Sequence, residues 1–159
     1  MRYHDHHLRG YTVSNFGADV VLDLLYRYPG QPDRESTVRV SGVRLHHFEL
    51  TAPAILTSIE EVPVRDFVNV WSSRLKKWAV SQGLQDWTQD EQQLASAWEA
   101  AGLKAWEIGS AIGFSGFVVG AEMRSCVPNH AKCTDAPSLS RPLHGKGHAG
   151  PRRAERRER

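Results

Sequence analysis

Three short clusters in this chain carry side chains able to do chemistry. His4-Asp5-His6-His7 stands near the start, His46-His47 follows in the first half, and Glu60-Glu61 comes just before Val62-Pro63. In an extended segment His4 and His6 project to the same side, as metal ligands from one strand do. If the three segments are neighbouring strands, His4, Asp5, His6, His46, His47, Glu60 and Glu61 could converge on Zn²⁺ or another divalent ion and support metal-dependent hydrolysis. Imidazoles titrate close to neutrality, so a general acid/base pair is a further possibility. The competing reading is structural: His4 and Asp5 form a hydrogen-bonded corner that fixes the first strand. No spacing here belongs to one metal-site family, and there is no His-Glu-x-x-His. No other cofactor is expected.

Cys126-x3-His130-x2-Cys133 offers two thiolates and an imidazole, with His144 or His148 as a fourth ligand. Its surroundings favour incidental residues. There is no Gly-x-Ser-x-Gly, no phosphate-binding glycine loop with Lys-Ser/Thr, and no Gly-x-Gly-x-x-Gly. The spaced glycines Gly113 and Gly116 read as a bend or bulge that lets two backbone segments approach. Five tryptophans complete the inventory. Trp71, Trp78 and Trp98 fall on helical stripes and read as core. Trp87 and Trp106 are the candidates for a partner-binding patch, because tryptophan is enriched at interface hot spots.

These groups need a scaffold, and the chain divides into two parts that supply it unequally. Residues 1–123 hold 11 basic and 15 acidic side chains, a net −4, and alternate apolar and polar residues with strand and helix periods. Residues 124–159 hold 9 basic and 3 acidic side chains, a net +6, in a run of Pro, Gly, Ser, His and Arg with little to bury. The expectation is one domain with a single core over 1–123 and a disordered basic tail over 124–159. An acidic body disfavours a nucleic acid as partner, since that affinity comes mostly from Lys and Arg neutralising phosphates. The opening residues contain no apolar stretch of the kind a signal peptide needs. Ala111 to Ala121 is shorter than the roughly 20 residues that span a bilayer. Both observations point to a cytoplasmic protein without membrane contact.

Within the body, Leu8–Phe16, Asp19–Tyr28, Thr37–Phe48 and Ala54–Val62 read as strands. The phase slips at Ser41-Gly42. Asp19–Tyr28 is the clearest: Val20, Leu22, Leu24, Tyr26 and Tyr28 alternate with Asp19, Val21, Asp23, Leu25 and Arg27. The period then changes. Val64, Phe67, Val68, Trp71, Leu75 and Trp78 recur at steps of three and four, one stripe of a helix stopped at Gly83. A Thr88-x-x-Glu91 capping box starts a second helix through Leu94, Ala97, Trp98 and Ala101. Lys104–Ile108 and Phe114–Met123 return to strand alternation. Segregated runs of this kind predict an α+β fold: an antiparallel sheet of five or six strands, order undetermined, with two helices on one face.

Four features together resemble a group of small uncharacterised bacterial α+β proteins over residues 3–123. They are the His4-Asp5 opening, the strand Ala18–Tyr28, the strand pair ending at Ile59-Glu60-Glu61, and Ser110-Ala-Ile-Gly-Phe-Ser-Gly-Phe-Val-Val. Some relatives with a comparable His-Asp opening look like immunity proteins of bacterial polymorphic toxin systems. The resemblance implies a small cytoplasmic binding domain and transfers no catalytic residue. The leading functional expectation is therefore an interaction domain for a protein partner, in its most specific form an immunity-type inhibitor whose acidic face steers it to a basic toxin. The alternatives are the metal-dependent hydrolase and a homodimer paired through strand edges.

Overall fold

A computed structural model describes residues 3–82 and 90–126. The chain order is β1 (His6–Ser14), β2 (Asp19–Tyr26), β3 (Arg34–Ser41), β4 (Leu45–Val62), α1 (Val64–Gln82), α2 (Glu91–Ala100), β5 (Lys104–Gly120) and β6 (Glu122–Cys126). The strands form one antiparallel sheet in the order β5-β4-β1-β2-β3-β6. β5 and β6 are separated in the chain by Ala121 alone, yet they occupy opposite ends of that order. The sheet must therefore curl until its two ends meet. Ala121 donates its backbone N–H to Ser41 O at 2.9 Å, which fixes the corner.

The alternation in β2 does what its pattern requires. Val20, Leu22 and Leu24 are buried on the inner face of the curl, opposite Val40, Val38 and Ser36 of β3. The predicted strand Thr37–Phe48 is not continuous: it breaks after Ser41 and divides between β3 and β4, and Phe114–Met123 divides at Ala121 between β5 and β6. The parts left in β4 and β5 join Ala54–Val62 and Lys104–Ile108, so this hairpin is far longer than the sequence pattern shows. The reason lies at Leu50–Ile55, where the β4–β5 register shifts. Gly113, at φ 77°, absorbs the crowding there: a Cβ would sit 1.9 Å from the Pro53 carbonyl oxygen. The expected close approach of two backbones at the spaced glycines is what the structure contains.

Because β5 is covered on both sides, the interior is not the single core that was expected. Leu56, Trp106, Ile108, Phe114 and Val118 join β2 and β3 in an inner cluster. Ala105, Phe117 and Val119, from alternate positions of the same strand, join Phe67, Val68 and Leu75 of α1 and Leu94 and Trp98 of α2 in an outer one. Burying a side chain of the Leu or Phe class stabilises by about 2 kcal/mol, so each cluster is substantial by itself. The α1 stripe predicted from spacing is the buried stripe. α2 begins two residues later than the capping box predicts: Asp90 is its N-cap, accepting from Gln92 N–H at 2.8 Å. Thr88 and Gly83 lie outside the described residues. β6 runs to Cys126 and pairs with β3, so the ordered body passes the expected boundary at 123 by three residues. The remainder of the proposed tail lies outside the described residues. Among those described, no helix is long and apolar enough to cross a membrane.

Candidate interaction surface

Strand register decides which of the chemistry-bearing residues meet. β1 and β4 pair only at His6–Leu56 and His7–Ile55. His46 lies ten residues from Leu56 along β4, roughly 30 Å of strand, and Glu60 lies about 13 Å the other way. The three clusters therefore stand apart. Among the described residues, no group of three or more His, Cys, Asp and Glu side chains is placed to hold a metal ion.

Each cluster has its own local contacts. His4 and Asp5 pair at 2.9 Å, Asp5 N–H bonds Leu56 O at 3.1 Å, and the His6 ring, 3.1 Å from the His4 carbonyl, packs against Tyr3 and Tyr26. This is a corner that ties the start of β1 to β4 and β2. Glu61 pairs with Lys104 at 3.0 Å, while Glu60 stands opposite Glu107 on the other face. Consecutive residues on a strand face opposite ways, and this also separates His46 from His47.

His47 lies on the outer face under α1, against Trp78, Phe117 and Trp71 at ring separations of 4.8, 5.9 and 6.4 Å. Glu49, two residues on, stands 3.2 Å from His47 Nε2 and accepts from Arg74 at 3.1 Å. The hydrogen bond to His47 and the Arg74 guanidinium hold its carboxyl below the usual range. Arg74 also lies 5.2 Å over the Trp71 ring, whose Nε1 donates to Glu107 at 3.0 Å. Glu49, Arg74 and Glu107 carried no signal in the sequence beyond their charge. They fasten α1 to the hairpin.

Of the two tryptophans proposed for partner binding, Trp106 is only 2 % exposed and belongs to the inner cluster, so it packs. Trp87 lies outside the described residues. Cys126 is disulfide-bonded and hence no thiolate ligand. His130, Cys133, His144 and His148 lie outside the described residues.

The surface that stands out was not predicted. Beyond His7, β1 stays with β2 while Leu45–Leu50 of β4 stay with β5, and a seam opens between them. Tyr11 and Val13 share the inner face with Leu22 and Val20, yet they are 42 % and 40 % exposed. Tyr11 meets Phe48 edge-on across the seam at 4.8 Å, and Leu50 is half exposed beside it.

At the end of β1, the turn Asn15–Gly17 holds Phe16 wholly in solvent. All three turn residues have positive φ: 51°, 56° and 92°. For a non-glycine residue that conformation costs about 1–2 kcal/mol, and it persists only where surrounding contacts hold it. Asn15 Nδ2 donates to the Asp19 carboxylate, Ala18 N–H bonds Asn15 O at 3.1 Å, and Arg39 holds Asp19 at 2.8 Å. The turn itself walls a shallow cleft of about 350 Å³, lined by Phe16 and Gly17 together with Ala18, Val43, Arg44, Leu45 and His46. His46 is half buried there, and burial with the nearby His47 lowers its pKa. A strained turn that displays a large aromatic beside the exposed Tyr11 and Val13 can bind another surface; the turn and its cleft contain no paired acid and base and no nucleophile. Comparison of the chain with family models, with curated proteins and with solved structures returns no match.

Proposed function

We propose that this chain is a non-catalytic protein-interaction domain that engages its partner through the seam from Tyr11 to Phe16. The observation that carries the reading is Phe16. Singly exposed apolar side chains are ordinary, but a wholly exposed phenylalanine held in left-handed backbone beside further apolar surface is the pattern of a binding anchor.

An immunity-type inhibitor is the form of this role that the family resemblance suggests. Its proposed acidic face is weakly supported, because Asp23, Glu35, Asp33 and Glu49 are each already ion-paired with an arginine of the same chain. The apolar seam is the better-supported contact.

Paired affinity captures with the full chain and its Phe16→Gly variant check the proposal. A protein recovered in stoichiometric amount with the wild type, and at least tenfold less with the variant, is the expected result. Equal recovery on both baits refutes the assignment to this seam. Glycine suits the left-handed turn, so the variant keeps its fold.

A further inference from the structure

We propose that the partner presents a single extended peptide strand, which adds to the free edge of β1 between Gly10 and Ser14 with apolar side chains at every second position. This rests on the interaction reading above and names the chemistry of the partner.

The edge is free for a traceable reason. β1 pairs with β2 from His6 to Ser14, but with β4 only at His6 and His7. Continued in that register, Arg9 would stand opposite Pro53, which has no N–H to donate. The β1–β2 register also shifts between Leu8 and Gly10. From Gly10 to Ser14, β1 therefore has a ladder on one side and, among the described residues, none on the other. Every second residue there turns its N–H and C=O toward the seam. Donors and acceptors repeating at about 7 Å are matched by another extended backbone, not by a helix.

The seam also selects the form of that backbone. The pairs His6–Leu56 and His7–Ile55 close it at one end, and Val43 N–H on Ala18 O at 2.9 Å closes it at the other. Phe48 of β4 stands across it against Tyr11. A folded sheet edge brings further strands with it and cannot enter a slot walled on both sides, which rules out the edge of a second copy. A lone segment can enter, and five residues of it span about 17 Å, the length of Gly10–Ser14.

The side chains agree with the backbone. Tyr11 and Val13 lie two apart on the inner face of β1, and Phe48 and Leu50 lie two apart on the inner face of β4. Tyr11, Val13 and Leu50 are 40–47 % exposed. An incoming strand with alternating apolar side chains covers them and points its other side chains outward. Its continuation beyond Ser14 meets Phe16.

The probe is a phage-displayed library of random linear peptides of about twelve residues, panned on the full chain. Enriched sequences are expected to be apolar at every second position over about five residues. With the strongest binder added as free peptide, alternate amides of Gly10–Ser14 are expected to exchange with deuterium at least tenfold more slowly than in the free chain. Val13→Lys, at an exposed position, is expected to keep the wild-type circular dichroism and to weaken the peptide about tenfold. No enriched peptide, enrichment at helical three-four spacing, unchanged exchange along Gly10–Ser14, or equal binding by Val13→Lys overturns the proposal. Slow exchange along the whole of Gly10–Ser14 before peptide is added means that the chain fills its own seam, and overturns it too.

The same exchange measurement on the full chain with the protein captured through Phe16 separates this failure from failure of the broader reading. Slowed amides along Gly10–Ser14 support strand addition. A bound partner that leaves them fast overturns strand addition and leaves the Phe16 surface standing, whereas failure of that surface shows in the capture itself.

Discussion

Arg39 on β3 holds the carboxylate of Asp19 on β2 at 2.8 Å, with the Asp19 side chain only 9 % exposed. The same carboxylate receives Asn15 from the turn that displays Phe16. One ion pair thus links the sheet to the strained turn, and its loss is felt at both.

Arg39→Met strands a nearly buried carboxylate and is expected to cost about 2 kcal/mol in urea unfolding. Adding Asp19→Asn recovers part of that loss, because the unpaired charge is gone. If the double variant is less stable than Arg39→Met, the stranded charge is not what the single change exposed.

Gly113→Ala is expected to cost about 2 kcal/mol or more, since its Cβ would meet the Pro53 carbonyl oxygen at 1.9 Å and its φ is 77°. Gly10→Ala is the control. Nothing lies within 4 Å of its added Cβ, and a change within about 0.5 kcal/mol is expected. Thermal melts of the pair decide whether the β4–β5 crossing point is as tight as it looks.

Trp106→Ala and Trp98→Ala sit in different clusters and are each expected to cost about 3–5 kcal/mol. A Trp106 that acted as a surface anchor would give near-wild-type melting and altered partner binding. Chemical denaturation of both variants distinguishes the two roles.

Stability is expected to fall as pH drops below 6.5. Burial disfavours the charged His46 imidazole, so the unfolded chain takes up a proton at higher pH than the folded chain does. The His46 contribution is complete above the ordinary value and is lost as pH falls through it toward the lowered one. His46→Gln removes this step. Glu49, held low by His47 and Arg74, adds a separate loss that begins only below its ordinary 4.5. Melting temperature against pH for wild type and His46→Gln reads both steps.

What was legible in the sequence followed strict periods. The alternation of β2 and the three-four spacing of α1 report the buried faces correctly because local geometry alone fixes which side chains share a face. The merged strands were hidden because Pro53 and Gly113 look like ends, whereas the register shift makes them a crossing point within one hairpin. The metal reading assumed that histidines in different strands were level with one another, and register is a non-local quantity. The split between His46 and His47 was readable from adjacency alone. Phe16 was the hardest case: Asn15-Phe16-Gly17 signals a turn, but its display depends on Arg39, which is distant in sequence.

Joining β5 to β6 through Ala121 makes the final five described residues a clasp. With it fastened, β3 has a neighbour on both sides, and the free edge at that end of the sheet is the five-residue β6 instead of the eight-residue β3. Cutting before Glu122 would leave a longer bare rim on β3, and the trimmed protein would be prone to stick to itself along that rim.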